Sequence, residues 1–238
     1  MNLTKRNLVL MACVFPFFYG CASTKNKVPD VPKDNAVDAF NVKPDIGKDG
    51  EKKVYLDTIK RMIETGSYMA AIAHAMAFEK NFGEDDMVSL MKADALLQAG
   101  MDDESLSIYQ SLRKVKDFEG PALNGIGKYY AKKNQWEVAE GFFKKAVEIQ
   151  PANPVFLNNM AFAMYRNGKY QEASRCWMMA IDLSPGNKTI INNLAILSRE
   201  HGEYLSDKDM IILYRKMGKD DQESINGFGA SSYTSRSD

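Results

Sequence analysis

The chain is 238 residues long and carries 31 lysines and arginines against 31 aspartates and glutamates, for a formal net charge of zero. That balance supplies no bulk attraction for nucleic acid or for an acidic lipid surface. Three cysteines, Cys13, Cys21 and Cys176, are too few for a disulfide framework.

The N-terminus reads MNLTKRNLVLMACVFPFFYGCAS. Lys5 and Arg6 precede an uncharged apolar run from Leu8 to Phe18, too short to anchor across a bilayer and suited to the core of a secretory signal. Residues 1–20 are therefore expected to be a signal peptide, lost with Cys13, which leaves 29 basic against 31 acidic residues. Cys21 after Gly20 resembles the lipidated cysteine of bacterial lipoproteins. The resemblance implies a palmitate-type anchor at Cys21. Ala22, where inner-membrane lipoproteins carry aspartate, implies the periplasmic side of the outer membrane. Cleavage nearby without lipid, giving a soluble periplasmic protein, is the alternative. Residues 22–50 hold Pro29, Pro32 and Pro44 among alternating charges. With Cys21 they are expected to form a tether over 21–51, with a reach of up to roughly 100 Å.

From residue 52 the sequence repeats. Gly66, Gly100, Asn134, Gly168 and Gly202 are each 34 residues apart. Two residues after each comes Tyr68, Asp102, Trp136, Tyr170 or Tyr204; five after come Ala71, Ser105, Ala139 and Ala173; nine after, Tyr109, Phe143 and Trp177. Apolar residues at three- and four-residue spacings predict two helices per unit. The turn glycines permit the left-handed backbone that closes a helix. Small residues such as Gly127, Ala139 and Ala173 let helix axes approach, and Pro151 and Pro185 stop the second helices.

These residues resemble the tetratricopeptide repeat, a 34-residue helix–turn–helix. The unit starting at Gly120 matches through Leu123, Ile126, Gly127, Tyr130, Ala139, Phe143, Ala146 and Pro151. The next matches through Leu157, Met160, Ala161, Met164, Ala173, Trp177, Ala180 and Pro185. The resemblance implies an all-α, right-handed superhelical solenoid of about five units over 52–217, best matched at 120–197. Ser206 and Asp209 offer a capping box for an end helix over 206–217. Residues 218–238 are polar and rich in glycine and serine, and are expected to be a disordered tail.

The resemblance also implies a concave face lined by the first helices. There Asn159 and Asn193, at the sixth position of consecutive units, resemble rungs that hydrogen-bond the backbone of an extended peptide. Asn124 stands one position earlier in the preceding unit. Lys128, Lys132, Phe162, Tyr165 and Arg166 would add basic and apolar contacts. Alternatively, the asparagines satisfy neighbouring helix ends.

Nothing in the pattern points to an enzyme. His74 and His201 have no metal-ligand spacing, and Gly125–Tyr130 follows no strand and lacks the spacing of a phosphate loop. Asp85–Asp86 and Asp102–Asp103 fall where helices start and suit the helix dipole. Cys176, beside Trp177, reads as a core residue. No metal, cofactor, nucleic acid or small-molecule substrate is expected; the expected partners are proteins, together with the membrane through the lipid. With ALNGIG at 122–127, LNNMAFA at 157–163 and GKYQEA at 168–173, behind an expected signal peptide, the chain resembles the TadD-like lipoproteins of Tad (Flp) pilus assembly. That implies a scaffold contacting the secretin or its neighbours. A secretin pilotin and an adaptor for cell-wall hydrolases are the other classes considered.

Overall fold

The structure, a computed structural model, describes residues 47–217. The expected signal peptide, Cys21, most of the tether and the tail lie outside the described residues. Within them are ten α-helices, two short 3-10 turns and no strand.

The helices pair as the 34-residue register requires: α1 (Gly47–Glu64) with α2 (Tyr68–Phe82), α3 (Asp86–Ala99) with α4 (Asp102–Leu112), α5 (Glu119–Lys132) with α6 (Trp136–Ile149), and α7 (Pro154–Arg166) with α8 (Tyr170–Leu183). The fifth unit is α9 (Lys188–His201) followed by α10 (Asp207–Lys216). Each of the first four hairpins turns on one residue of positive φ: Gly66 at 75°, Gly100 at 88°, Asn134 at 59° and Gly168 at 77°. At Gly168 the backbone N–H donates to Tyr165 O (3.0 Å), and the next N–H, Lys169, reaches back to Met164 O (2.9 Å). The same pair of bonds recurs at the other three turns. This is the Schellman closure, which satisfies carbonyls that a helix end leaves open.

Two expectations are corrected. Gly202 is right-handed, with φ −60°. Instead of a tight hairpin, a 3-10 turn over Gly202–Tyr204 continues from α9, and Leu205, Leu213 and Met217 then seal the end of the stack. The first helix also starts before the expected array, at Gly47 rather than Lys52. Asp49 in its first turn favours the dipole, so the last residues of the expected tether are helical. The end helix has both halves of its capping box, Ser206 and Asp209.

Helix starts share a device. Asp85, Asn153 and Asn187, in matching registers, each accept hydrogen bonds from the second and third N–H groups beyond them. Gln150 and Ser184, just before the prolines, have left the helical region, with φ −130° and −141°.

The small positions do what close packing needs. Ala71, Ser105, Ala139 and Ala173 are all fully buried, and Ser105 Oγ donates to Ala93 O at 2.8 Å, so its hydroxyl is satisfied. A Cβ on Gly127 would lie 2.5 Å from Phe143 Cε1, and one on Gly125 would enter the ring of Tyr109 from the preceding unit. Gly125→Ala tests this contact. Removing a helical glycine gains at most about 1 kcal/mol, whereas overpacking costs about 1–3 kcal/mol. Tyr109 is fully buried and its hydroxyl is tied to Asp94 at 2.6 Å, so the ring cannot step aside. We expect a net loss of about 1 kcal/mol in urea unfolding; a stabilised variant would show that the two units slide apart freely.

Candidate functional site

The first helices of successive units stand side by side, so equivalent faces meet across each boundary. Between them opens a cleft of about 480 Å³. Leu97 comes from the end of α3; Lys128, Ala131 and Lys132 from α5; Asn158, Asn159 and Phe162 from α7; Thr189 and Asn193 from α9. Trp136 and Phe143 of α6 complete the apolar wall.

Four asparagines form a relay, three of them at the cleft and Asn124 behind it. Asn193 Nδ2 donates to Asn158 Oδ1 (2.9 Å), Asn158 Nδ2 to Asn159 Oδ1 (3.4 Å), and Asn159 Nδ2 to Asn124 Oδ1 (2.8 Å). Trp177 Nε1 also donates to Asn158 Oδ1, at 3.1 Å. An amide has two donor hydrogens and an oxygen able to accept twice. Asn158 Oδ1 is therefore filled, while Asn193 Oδ1 and the second N–H of Asn159 and of Asn193 have no partner among the described residues. The relay thus links three units and leaves polar edges at the cleft.

Of the residues singled out from sequence, Asn159, Asn193, Lys128, Lys132 and Phe162 line the cleft together. Asn124 does not: it is 6% exposed and supports Asn159 from behind. Tyr165 packs in an aromatic cluster with Tyr170, Trp177 and His201. Its hydroxyl donates to Glu200; that bond and partial burial push its pKa up to about 12. Arg166 lies over the Trp136 ring, 4.3 Å from its centroid. Asn158, Trp136 and Phe143 were missed as cleft residues.

The lysines are not unbalanced charges. Lys128 pairs with Asp94, which also accepts from Tyr109. Lys132 donates to Leu97 O and to Asp102, each at 2.6 Å, and Lys133 meets the other Asp102 oxygen at 2.7 Å. Those two lysines hold the Asp102 carboxyl below its usual pKa. Asp102, expected only as a favourable charge at a helix start, is thus also a clamp between units. Burial, joined by the Asp94 charge, raises the Tyr109 phenol well above its ordinary value. Trp136 Nε1 is buried with no hydrogen-bond partner among the described residues.

Burial pushes the Cys176 thiol up, and its Sγ lies 3.9 Å from Met164 Sδ. A raised pKa makes a weak nucleophile. His201 stacks on Tyr170 with ring centroids 3.7 Å apart, and His74 packs near Tyr55. Among the described residues no group of three His, Cys, Asp or Glu could hold a metal, and no helix is long and apolar enough to cross a membrane.

The family model described as "Psidin, N-terminal TPR repeats region" matches residues 51–197. No curated protein matches the chain. Among solved structures, TTC0263, a thermophilic TPR protein of Thermus thermophilus, is similar with a TM-score of 0.59 and 16% identity, over 74% of this chain and 97% of that one. MamA 41-end from Desulfovibrio magneticus RS-1 is similar with a TM-score of 0.51 and 16% identity, over 75% and 97%. At such identities these likenesses speak to fold alone. With the family match spanning residues 51–197, the chain belongs to the family of the Psidin N-terminal TPR repeats region and is a tetratricopeptide repeat protein.

Proposed function

We propose that this chain is a non-enzymatic scaffold that holds an extended segment of a partner protein in the cleft between its first helices. The observation that carries this reading is the asparagine relay beside an apolar wall: Asn159 and Asn193 keep amide edges unmatched next to Phe162 and Trp136. Amides of that kind suit a peptide backbone, which presents both donors and acceptors whatever its side chains. In the finer reading, Cys21 carries the lipid that holds the scaffold on the periplasmic side of the outer membrane. There it takes part in assembling a pilus or secretion apparatus of the Tad (Flp) type, with the secretin or its neighbours as partners. Gly20–Cys21 behind the apolar run supports the anchor, and the resemblance to TadD-like lipoproteins supports the setting.

The test replaces both rungs, Asn159→Ala with Asn193→Ala, in one chain. Each lost neutral hydrogen bond contributes about 0.5–1.5 kcal/mol, so secretin binding in a pull-down should weaken roughly five- to a hundredfold. The melting temperature is measured on the same preparation. A destabilised variant whose folded fraction binds normally would return both amides to architecture alone.

A further inference from the structure

The cleft has an unusual charge character for the chain that builds it. Its two lysines, Lys128 and Lys132, are each matched by a carboxylate, Asp94 and Asp102. What remains in the lining is an apolar wall and neutral amides; beside it the Arg166 guanidinium lies over the Trp136 ring, whose Nε1 is buried without an acceptor among the described residues. The complement of such a cleft is an uncharged extended segment that offers backbone carbonyls and one large apolar side chain. Like-for-like desolvation favours it over a charged segment, whose ions would leave water for partners already taken.

One segment of this chain has that chemistry. In a sequence with 26% charged residues, 224–235 reads SINGFGASSYTS and carries no charge. Phe228 stands between Gly227 and Gly229, so the backbone on either side has no side chain to keep it from the wall. The segment lies within reach. Met217, the last described residue, ends α10, which packs on α9, and α9 contributes Asn193 to the cleft. Packed helices lie about 8–10 Å apart, so crossing from α10 past α9 and α7 to Trp136 takes on the order of 30 Å. The eleven residues from Met217 to Phe228 span up to about 36–40 Å.

We propose that residues 224–235 occupy the cleft of their own chain, with Phe228 against Trp136 and Phe162. The segment is a placeholder: it covers the apolar wall until a partner segment of the same neutral, aromatic-anchored type displaces it. This rests on the cleft being the binding face. A short flexible connection gives an effective concentration on the order of 1 mM, so a segment with an intrinsic dissociation constant of about 100 µM would fill the cleft about nine-tenths of the time.

The experiment uses the whole chain and a fluorescein-labelled peptide of sequence SINGFGASSYTS. Binding is followed by anisotropy to the unaltered chain and to a Phe228→Ser, Tyr233→Ser variant, which leaves every described residue in place. We expect the peptide to bind the variant about tenfold more tightly than the unaltered chain, and to lose that binding when Asn159→Ala and Asn193→Ala are added. Equal binding to both chains, or no binding to either, would overturn the placeholder while leaving the test with the secretin intact. Binding insensitive to the two asparagines would put the segment elsewhere and overturn it too. Light scattering that showed the unaltered chain to be a dimer, broken by Phe228→Ser, would overturn occupancy within one chain.

Discussion

Trp177→Ala should cost about 3–5 kcal/mol, the range for deleting a large buried aromatic. Trp177 is 1% exposed and lies in a core shared by α6 to α10. Its indole also donates to Asn158 Oδ1, so the substitution both empties a cavity and removes one arm of the asparagine relay. Repeat arrays couple mainly between neighbours. The loss should therefore concentrate in α7 to α10, with α1 to α4 retaining their protection in amide hydrogen exchange. Trp177→Phe separates the two effects. It keeps most of the ring and sacrifices one hydrogen bond of about 0.5–1.5 kcal/mol. A urea midpoint unmoved by Trp177→Ala would mean that α8 does not pack as described.

Ala173→Leu is the second large effect. Ala173 is fully buried, and the matching positions Ala71, Ser105 and Ala139 are equally closed. A site that is small in all four units is one where two helices meet with no space for a branched side chain. Three added carbons must displace a neighbour in the same core as Trp177, at a cost of about 1–3 kcal/mol. Thermal unfolding of the variant should begin earlier in the C-terminal units. An unchanged melting curve would place Ala173 outside the helix interface.

Much of this architecture could be read before any coordinate was known, because the features that set it are local. A positive-φ turn needs glycine or asparagine, and Gly66, Gly100, Asn134 and Gly168 supply it. Gly202 broke that inference. The residue permits a left-handed turn without compelling one, and no eleventh helix follows to complete a regular stack among the described residues. The cleft was harder to read, since its bonds join residues far apart in sequence. Even so, the spacing is regular: Asp94 with Lys128 is 34 residues apart, while Asn124 with Asn159, Asn158 with Asn193, and Tyr165 with Glu200 are each 35 apart. Side-by-side first helices bring a position next to its counterpart one unit on. A search for polar pairs at that separation would have found Asn158 and the partner of Lys128. What no such search supplies is which donor of each amide is used, because that depends on side-chain rotamers set by packing.

Helix α5 holds Gly125 and Gly127 in its interior, each kept free of a side chain by a ring pressed against it. Two interior glycines forfeit roughly 2 kcal/mol of intrinsic helicity relative to alanine. The middle helix of the array therefore exists because Tyr109 on one side and Phe143 on the other hold it. Whatever frees either flank, heat, denaturant or force, should therefore release α5 ahead of helices that carry no interior glycine.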